Sequence, residues 1–261
     1  MKISLFNTII GLLICLFSSS IFAENLFLGS PNAETVKDCE EECAGQWTSS
    51  IELGYVAVSG NTETSTFNGR FALSYELEKW RHAGFIATQT SSSEDSNNVK
   101  TDAEKLTAQV KSDYQYSESA YAFGIVDYDD TKNSGFDYQA SYAFGAGYRF
   151  IKNEKHSLDG ELGIGSRQSK IELTGVSNQE SISRLAGLYK WQISKNSNFE
   201  QKLSTEVGDD NTVSKSYSGL SANIIENLAL KVSYTVKHQS DVPEGNEERE
   251  TVTSFTAVYT F

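Results

Sequence analysis

Residues 138–150 read YQASYAFGAGYRF, and their pattern decides the fold. Tyr, Ala or Phe stands at every second position, whereas Gln, Ser, Ala, Gly and Arg stand between them. Successive side chains of a β-strand point to opposite faces, so the pattern separates an apolar face from a mostly polar one. A helix, with about 3.6 residues per turn, would mix the two sets. The stretch therefore predicts one long strand.

The same alternation continues on both sides of this stretch. In residues 66–77 one face carries Phe67, Phe71 and Leu73, and the other carries Thr, Asn, Arg, Ala, Ser and Glu. Residues 105–116 repeat the pattern. The sequence thus predicts twelve strands, at roughly 48–59, 64–78, 80–91, 103–116, 120–130, 137–151, 156–168, 181–193, 198–208, 213–225, 228–239 and 250–261.

Short and long connections alternate between the predicted strands. The short ones fall at 78–80, 117–119, 153–155, 195–197 and 226–227. The long ones, all polar, fall at 90–102, 131–136, 169–180, 209–212 and 239–249, and a shorter one falls at 60–63. Alternating strands with short turns on one side and longer loops on the other are typical of outer-membrane barrels. Closure also leaves no backbone group unpaired in lipid.

We therefore predict an all-β fold, a transmembrane antiparallel up-and-down β-barrel of about 12 strands over residues 47–261. Its apolar faces would contact outer-membrane lipid. A soluble secreted β-barrel binding protein is the alternative, and it would turn the apolar faces inward. Aromatic residues near strand ends would form the interfacial girdles of a membrane barrel. These residues are Tyr114, Tyr116, Tyr121, Tyr148, Phe150, Tyr189 and Trp191.

The first residues of the chain predict export. Lys2 precedes an apolar stretch over 5–17, and the small Ala23 follows it. This is the order of a signal peptide, which we predict over residues 1–23. An acidic periplasmic leader is then predicted over residues 24–46. The location predicted for the mature chain is the bacterial outer membrane.

The predicted leader contains Cys39 and Cys43. Two cysteines in an oxidising compartment predict a small disulfide. A zinc site would need further ligands, but His82, His156 and His238 are scattered without ligand spacing. We therefore predict no metal site.

Composition and charge exclude several classes of protein. The 261 residues carry 35 acidic and 22 basic side chains, a net charge of -13, which argues against a nucleic-acid partner. Apolar residues make up 38%, and no run of about 20 follows residue 23, so a helical membrane protein is excluded. A disordered chain would lack the 11% of aromatic residues found here.

The polar strand faces predict a charged lumen. Ten basic residues would line it, namely Arg70, Lys105, Lys111, Arg149, Arg167, Arg184, Lys190, Lys202, Lys231 and Lys237. Seven acidic residues would join them, namely Glu52, Glu76, Asp113, Asp159, Glu161, Glu200 and Glu206. Twelve strands enclose a narrower space than the roughly 16–18 strands of an open porin. The lumen is therefore either closed by paired charges, for a structural function, or a narrow channel for small solutes or ions.

Glycines on the polar faces of two neighbouring strands leave space inside this predicted lumen. We expect them to make room for Arg149 and Arg167, with a ligand cavity as the alternative. The glycines are Gly145, Gly147, Gly163 and Gly165.

An enzymatic barrel, a protease or lipase, is the alternative function. It would need a nucleophile or paired carboxylates near a histidine at the rim. His238 and Asp241 lie near one predicted rim position, and Asp127, Asp129 and Asp130 near another. The acidic run lacks the spaced ligands of a calcium loop. We predict no catalytic residue and no cofactor.

Four segments carry a resemblance to a known family. They are GYVAVSGNT at 54–62, GAGYRF at 145–150, ELGIGSR at 161–167 and LKVSY at 230–234. These segments resemble the YdiY-like family of salt-induced outer-membrane proteins, a domain of unknown function. The resemblance spans about residues 47–261 and implies an outer-membrane barrel without an established activity. The family's name also implies a connection with osmotic stress.

Phe261 follows Tyr259 on the apolar face of the last predicted strand. An aromatic residue at this place resembles the tag by which bacterial outer-membrane proteins are recognised for assembly. The barrel-assembly machinery is therefore a predicted partner, beside outer-membrane lipid.

Overall fold

Twelve β-strands form within the described residues, 45–58, 63–94, 100–132 and 134–261 of this computed structural model. The predicted signal peptide, the leader up to residue 44 and the predicted disulfide between Cys39 and Cys43 lie outside the described residues. The strands are β1 (Gln46–Val58), β2 (Glu63–Glu76), β3 (Trp80–Glu94), β4 (Lys100–Gln115), β5 (Ala120–Thr131), β6 (Phe136–Lys152), β7 (His156–Ile171), β8 (Ser177–Ser194), β9 (Ser197–Gly208), β10 (Thr212–Ile225), β11 (Leu228–Gln239) and β12 (Arg249–Thr260).

Each strand pairs antiparallel with its neighbours in sequence, and β1 pairs with β12 to close the barrel. The closing register runs from Ser50 opposite Thr260 to Leu53 opposite Ala257. Closure pairs the backbone groups that an open sheet would leave at its two edges. The predicted up-and-down barrel of twelve strands is confirmed.

The connections define two ends of the barrel. One end, the turn end, carries the short connections and both chain ends of the barrel; the other, the loop end, carries the remaining connections. Two of the predicted long loops are much shorter than expected, because β3 continues to Glu94 and β7 continues to Ile171. Polar residues there extend the sheet, since backbone pairing does not require apolar side chains.

The outer surface of the barrel is apolar. Phe71, Tyr142 and Leu230 point outward and are 44%, 53% and 55% exposed. Asp113 and Arg167, on inward faces, are both 3% exposed. This arrangement is the reverse of a soluble barrel, and it places the hydrocarbon of a lipid bilayer against the outer face. No helix among the described residues is long and apolar enough to cross a membrane.

Aromatic pairs surround the turn end on the outer face. Trp47 stacks on Tyr75 with ring centroids 4.3 Å apart, and Trp80 lies 4.9 Å from Tyr114. Tyr148 meets Phe150 edge to face at 5.2 Å. Such amphipathic rings suit the boundary between lipid and water.

The prediction that Tyr121 belongs to this girdle is wrong. Its side chain points into the lumen and is 2% exposed, and it forms a buried cluster with Phe123, Ile125 and Ala143. Strand β5 is apolar on both faces near the turn end, because Ala, Gly and Val occupy the alternate positions. Alternation therefore does not show which face is inward.

The four predicted glycines serve close packing, but Arg149 and Arg167 are not the groups that require them. A Cβ at Gly147 would overlap the ring of Tyr121, so this glycine gives the ring its place. A Cβ at Gly145 would overlap the carbonyl oxygen of Leu162. The glycines thus allow the Tyr121 ring to lie against β6 and the backbones of β6 and β7 to approach each other closely.

Candidate functional site: the charged lumen

Eight of the predicted lumen residues lie on inward faces, and each joins an ion pair there. They are Arg70, Lys111, Arg149, Glu161, Arg167, Arg184, Glu206 and Lys231. Their partners include residues on strands that are not neighbours. The lumen is therefore crossed by side chains at several levels.

The widest crossing lies near the loop end. Asp129 on β5 accepts hydrogen bonds from Lys215 on β10 at 3.0 Å and from Lys237 on β11 at 3.2 Å. Strands β5 and β11 stand opposite each other in the ring of twelve. Lys237 also donates to Gln139 on β6 at 3.0 Å. One carboxylate thus connects opposite walls of the barrel.

A second crossing lies beside the first. Lys105 on β4 donates to Glu250 on β12 at 2.6 Å. The other oxygen of Asp129 accepts from Thr107 at 2.9 Å, which fixes the orientation of its carboxylate. We call Lys105, Asp129, Lys215, Lys237 and Glu250 the loop-end bridge. The alternation predicted Lys105 and Lys237 as lumen residues and Asp129 as a rim residue, whereas Lys215 and Glu250 had no distinguishing signal in the sequence.

The connection between β11 and β12, residues 240–248, crosses the mouth above this bridge. It packs against Gly135, which lies in the opposite connection between β5 and β6. A Cβ on Gly135 would lie 2.6 Å from Nδ2 of Asn246 and 2.9 Å from Cγ of Pro243. Gly135 has a φ of 82°, which favours glycine, so both its conformation and its contact require a residue without a side chain.

A second group of charges fills the turn end. Asp113 accepts from Arg81 at 2.5 Å and from Lys111 at 2.6 Å. Lys111 also pairs at 2.6 Å with Glu161, which accepts a hydrogen bond from the Tyr121 hydroxyl at 2.9 Å. Burial of these charges is tolerated because each has an opposite partner and directed hydrogen bonds.

Two arginines form a third cluster on the wall made by β7, β8 and β9. Arg167 pairs with Glu180 at 2.7 Å, and Arg184 pairs with Glu206 at 2.8 Å. Arg167 also donates to the carbonyl oxygen of Asn211 in the β9–β10 connection. The cluster therefore ties three strands to a loop. Glu180 was predicted in the polar loop over 169–180 and not in the lumen.

Glu52 organises the opposite wall. It pairs with Lys231 from β11 and lies 3.7 Å from Arg70 on β2. The guanidinium of Arg70 in turn lies over the ring of Phe85, 3.8 Å from the centroid, a cation–π contact. A small cavity of about 30 Å³ beside Glu52 and Asn198 is large enough to hold an ordered water molecule.

Some lumen charges retain contact with water. The side chain of Lys202, in the half nearer the turn end, is 49% exposed, and that of Lys215, near the loop end, is 37% exposed. By contrast Asp129, between the two ends of the bridge, has a side chain that is 10% exposed. Unfilled space therefore remains beside these two lysines in the lumen.

The residues considered for an enzymatic rim are not brought together. His238 points to the outer surface, since its neighbour Lys237 points into the lumen. Asp127 and Asp129 point inward, and the backbone N–H of Asp241 donates to Asn211. The described residues contain no group of three His, Cys, Asp or Glu side chains that could hold a metal ion.

Comparison with known proteins identifies the family. Residues 51–261 match the family model described as protein of unknown function, DUF481. The chain belongs to this family. A relative of the DUF481 chain is the uncharacterized protein YdiY of Escherichia coli strain K12, 26% identical over 235 residues that cover 90% of this chain and 91% of the relative. The resemblance noted from the sequence is confirmed.

Solved structures similar to this DUF481 barrel include the NanC porin, with a TM-score of 0.49 at 8% identity over 81% of this chain and 98% of the porin. The translocator domain of the autotransporter NalP from Neisseria meningitidis has a TM-score of 0.44 at 9% identity over 88% of this chain and 92% of the domain. The fold of the DUF481 chain rests on its own strand pairing, described above, and not on these likenesses.

Proposed function

We propose that this protein is an outer-membrane β-barrel with a closed lumen and that its function in the cell envelope is structural. The observation that carries the proposal is the ion pair between Asp129 and Lys237, which joins opposite walls of the barrel. A solute crossing the lumen at this level would have to displace that pair.

Displacing the bridge is costly in the closed state. Asp129 holds two lysines, so moving it would leave Lys215 and Lys237 unpaired beside each other. Removing one partner of a buried pair costs about 3–5 kcal/mol, and partial exposure of Lys215 reduces this figure. The connection over residues 240–248 lies above the bridge and would also have to move.

The proposal includes export and assembly. Family membership and the predicted signal peptide over residues 1–23 support an outer-membrane location. Recognition by the barrel-assembly machinery is supported by Phe261, whose ring is 51% exposed on the outer face and meets Tyr259 edge to face at 4.9 Å. Mass spectrometry of protein purified from the outer membrane tests the export step, with the expected mature chain beginning at Glu24.

A planar-bilayer recording tests lumen closure. We expect the wild-type protein to give no discrete conductance steps. An Asp129→Ala variant with the loop over 242–247 shortened should give steps, because the Asp129 ion pairs with Lys215 and Lys237 and the covering loop are removed. Glu104→Ala is the control, since Glu104 pairs with Lys132 at the exposed rim. Frequent steps in the wild-type protein would contradict the closed lumen.

A narrow channel for small solutes or ions is the second candidate. It is favoured by the exposure of Lys202 and Lys215, which shows that side chains do not fill the lumen at these two positions. This function requires conductance in the wild-type protein, so the same recording separates the two candidates.

A further inference from the structure

A groove on the outer surface of the barrel lies at the loop end. It runs between the outward face of β11 and the returning half of the connection over residues 240–248. Its volume is about 890 Å³, within the range of about 300–1,000 Å³ that small-molecule sites occupy. The groove is separate from the lumen, because Lys237 points inward and its neighbours in β11 therefore point outward. Its main lining residues are Val236, His238, Asn246, Glu247, Glu248 and Arg249.

Backbone contacts hold the two sides of the groove together. The N–H of Gln239 donates to the carbonyl oxygen of Glu248 at 2.8 Å, which fixes the returning chain beside β11. His238 and Arg249 stand opposite each other in the β11–β12 register, so their side chains lie on the same outward face. Two side chains that can donate hydrogen bonds therefore stand at the loop-end border of the apolar belt.

The charged groups of the groove have no partners in the part of the chain that the structure describes. The side chains of His238, Glu247, Glu248 and Arg249 form neither a hydrogen bond nor an ion pair there. One guanidinium and two carboxylates thus line the same groove without neutralising each other. Both signs of charge are available to a ligand.

Other cations at the loop end are already paired. Outside the lumen, Lys132 pairs with Glu104, and Lys170 pairs with Asp137. A carboxylate of this chain therefore occupies the ammonium group of each lysine. Arg249 differs from these lysines, because its guanidinium lies in a groove and has no such partner among the described residues.

The mixture of charges indicates a ligand that carries both signs. A guanidinium binds a phosphate through two parallel N–H donors, and an imidazole can add a third. Carboxylates accept hydrogen bonds from an ammonium group, which has three donors. A ligand with only negative charge would be repelled by Glu247 and Glu248. A zwitterion with a phosphate and an ammonium group matches Arg249 and the two glutamates together.

An apolar track leads from the groove into the belt. Val236 lines the groove, and Tyr234, Val232 and Leu230 follow at the outward positions of β11 toward the turn end. These four positions cover about 20 Å at about 3.4 Å per residue. Half of the hydrocarbon core of a bilayer is about 15 Å thick. An acyl chain can therefore lie along β11 while its headgroup occupies the groove.

We propose that this groove binds one phospholipid with a phosphoethanolamine headgroup. The phosphate contacts Arg249 and His238, the ammonium group contacts Glu247 and Glu248, and an acyl chain lies on Val236. The proposal depends on the lipid-facing outer surface of the barrel. It does not depend on whether the lumen is closed.

Native mass spectrometry of the protein purified in detergent tests the site. Phospholipids with identical acyl chains and ethanolamine, choline or glycerol headgroups are titrated separately. We expect one ethanolamine lipid to bind about tenfold more tightly than either of the others, because choline lacks N–H donors and glycerol lacks a cation. A charge-assisted hydrogen bond accounts for roughly this factor. Equal occupancy by the three lipids shows non-specific binding only and overturns the proposal.

Two variants separate the two ends of the headgroup. Arg249→Ala removes the phosphate contact and should weaken binding of all three lipids about tenfold. Glu247→Gln combined with Glu248→Gln should remove only the preference for ethanolamine. Lys132→Ala, which removes a loop-end cation outside the groove, is the control and should bind as the wild type does. Wild-type binding by Arg249→Ala, in protein that keeps the heat-modifiable shift of a folded barrel, overturns the proposal.

Photo-cross-linking locates the bound lipid. A phosphoethanolamine lipid with a diazirine in its acyl chain should label β11 at Val236 or Tyr234. Val126, exposed on β5 at the opposite wall, is the reference position. Equal labelling of β5 and β11 means that lipid surrounds the barrel without a preferred site, and this result overturns the proposal.

Discussion

Lys237 on β11 and Asp129 on β5 meet across the full width of the barrel, with Nζ and Oδ2 3.2 Å apart. Other lumen ion pairs, such as Arg184–Glu206, connect neighbouring strands and support the local wall. This pair joins opposite walls, so it resists widening of the barrel as well as passage through it. The loop-end bridge therefore links stability to lumen closure.

Asp129→Asn should destabilise the folded barrel. The substitution removes the negative charge that holds Lys215 and Lys237 together, and the two lysines then repel each other. We expect a loss of about 1–3 kcal/mol in the free energy of unfolding, below the value for a fully buried pair because Lys215 is partly exposed. Urea titration in liposomes, followed by tryptophan fluorescence, measures this loss.

The control for that substitution is Glu104→Gln at the rim. Its partner Lys132 has a side chain that is 61% exposed, and the hydrogen bond from Lys132 to the Glu104 carboxylate is the main cause that raises the pKa of Lys132. Solvent and salt screen such exposed pairs, so the urea midpoint should not move. Equal effects of the two substitutions would contradict the stabilising function of the bridge.

Gly147→Ala should disturb the turn end through Tyr121. The new methyl group would overlap the buried ring, and overpacking of this kind costs about 1–3 kcal/mol. In a Tyr121→Ala background the same glycine substitution should cost less, because the ring that clashes is gone. A double-mutant cycle of urea midpoints measures the coupling. Simple additivity of the two substitutions would show that the glycine serves another purpose.

Arg167→Met should cost more than either of these changes. It leaves Glu180 without its arginine and removes one of the two arginines beside Glu206, in a cluster where Arg167 is 3% exposed. Breaking such a buried pair costs about 3–5 kcal/mol. Adding Glu180→Gln should restore some stability, since the isolated carboxylate is then neutral. Thermal unfolding by heat-modifiable electrophoresis compares the single and double variants.

The alternation predicted the strands and the orientation of most strand faces. It could do so because successive residues of a strand face lipid and lumen in turn, and lipid favours apolar side chains whereas the lumen favours polar ones. Residues 138–150 lie within β6, and Arg149 is inward. The same reasoning fails where both faces of a strand are apolar. Near Tyr121 the alternation of apolar side chains gives no preference, but Asp127 and Asp129, farther along β5, lie on the same face as Tyr121. Their charges indicate that this whole face of β5 is inward.

The alternation of side chains could not predict which residues pair across the lumen, for a different reason. Lys237 and Asp129 are separated by 108 positions in the chain. Their contact depends on strand tilt, stagger and barrel diameter, which alternation does not determine. Glu180 illustrates a second difficulty, because its polar surroundings predicted a loop where the backbone continues β8. For residues that pair across the lumen, the sequence therefore predicts which face each one occupies. It does not predict which residue it contacts.

We predict that the cost of a charged substitution on the apolar outer surface depends on its depth in the membrane. Leu162, near the middle of β7, is 66% exposed on the outer surface, and Leu173, in the connection after β7, is 85% exposed. Leu162→Arg should cost about 2–4 kcal/mol, as a charge facing the middle of a bilayer does. Leu173→Arg should leave stability unchanged, because its side chain reaches water at the loop end. Urea titrations of both variants in liposomes measure the difference. In water alone both leucines would be exposed surface residues and both substitutions would be harmless, so equal midpoints would show that lipid does not cover the outer face.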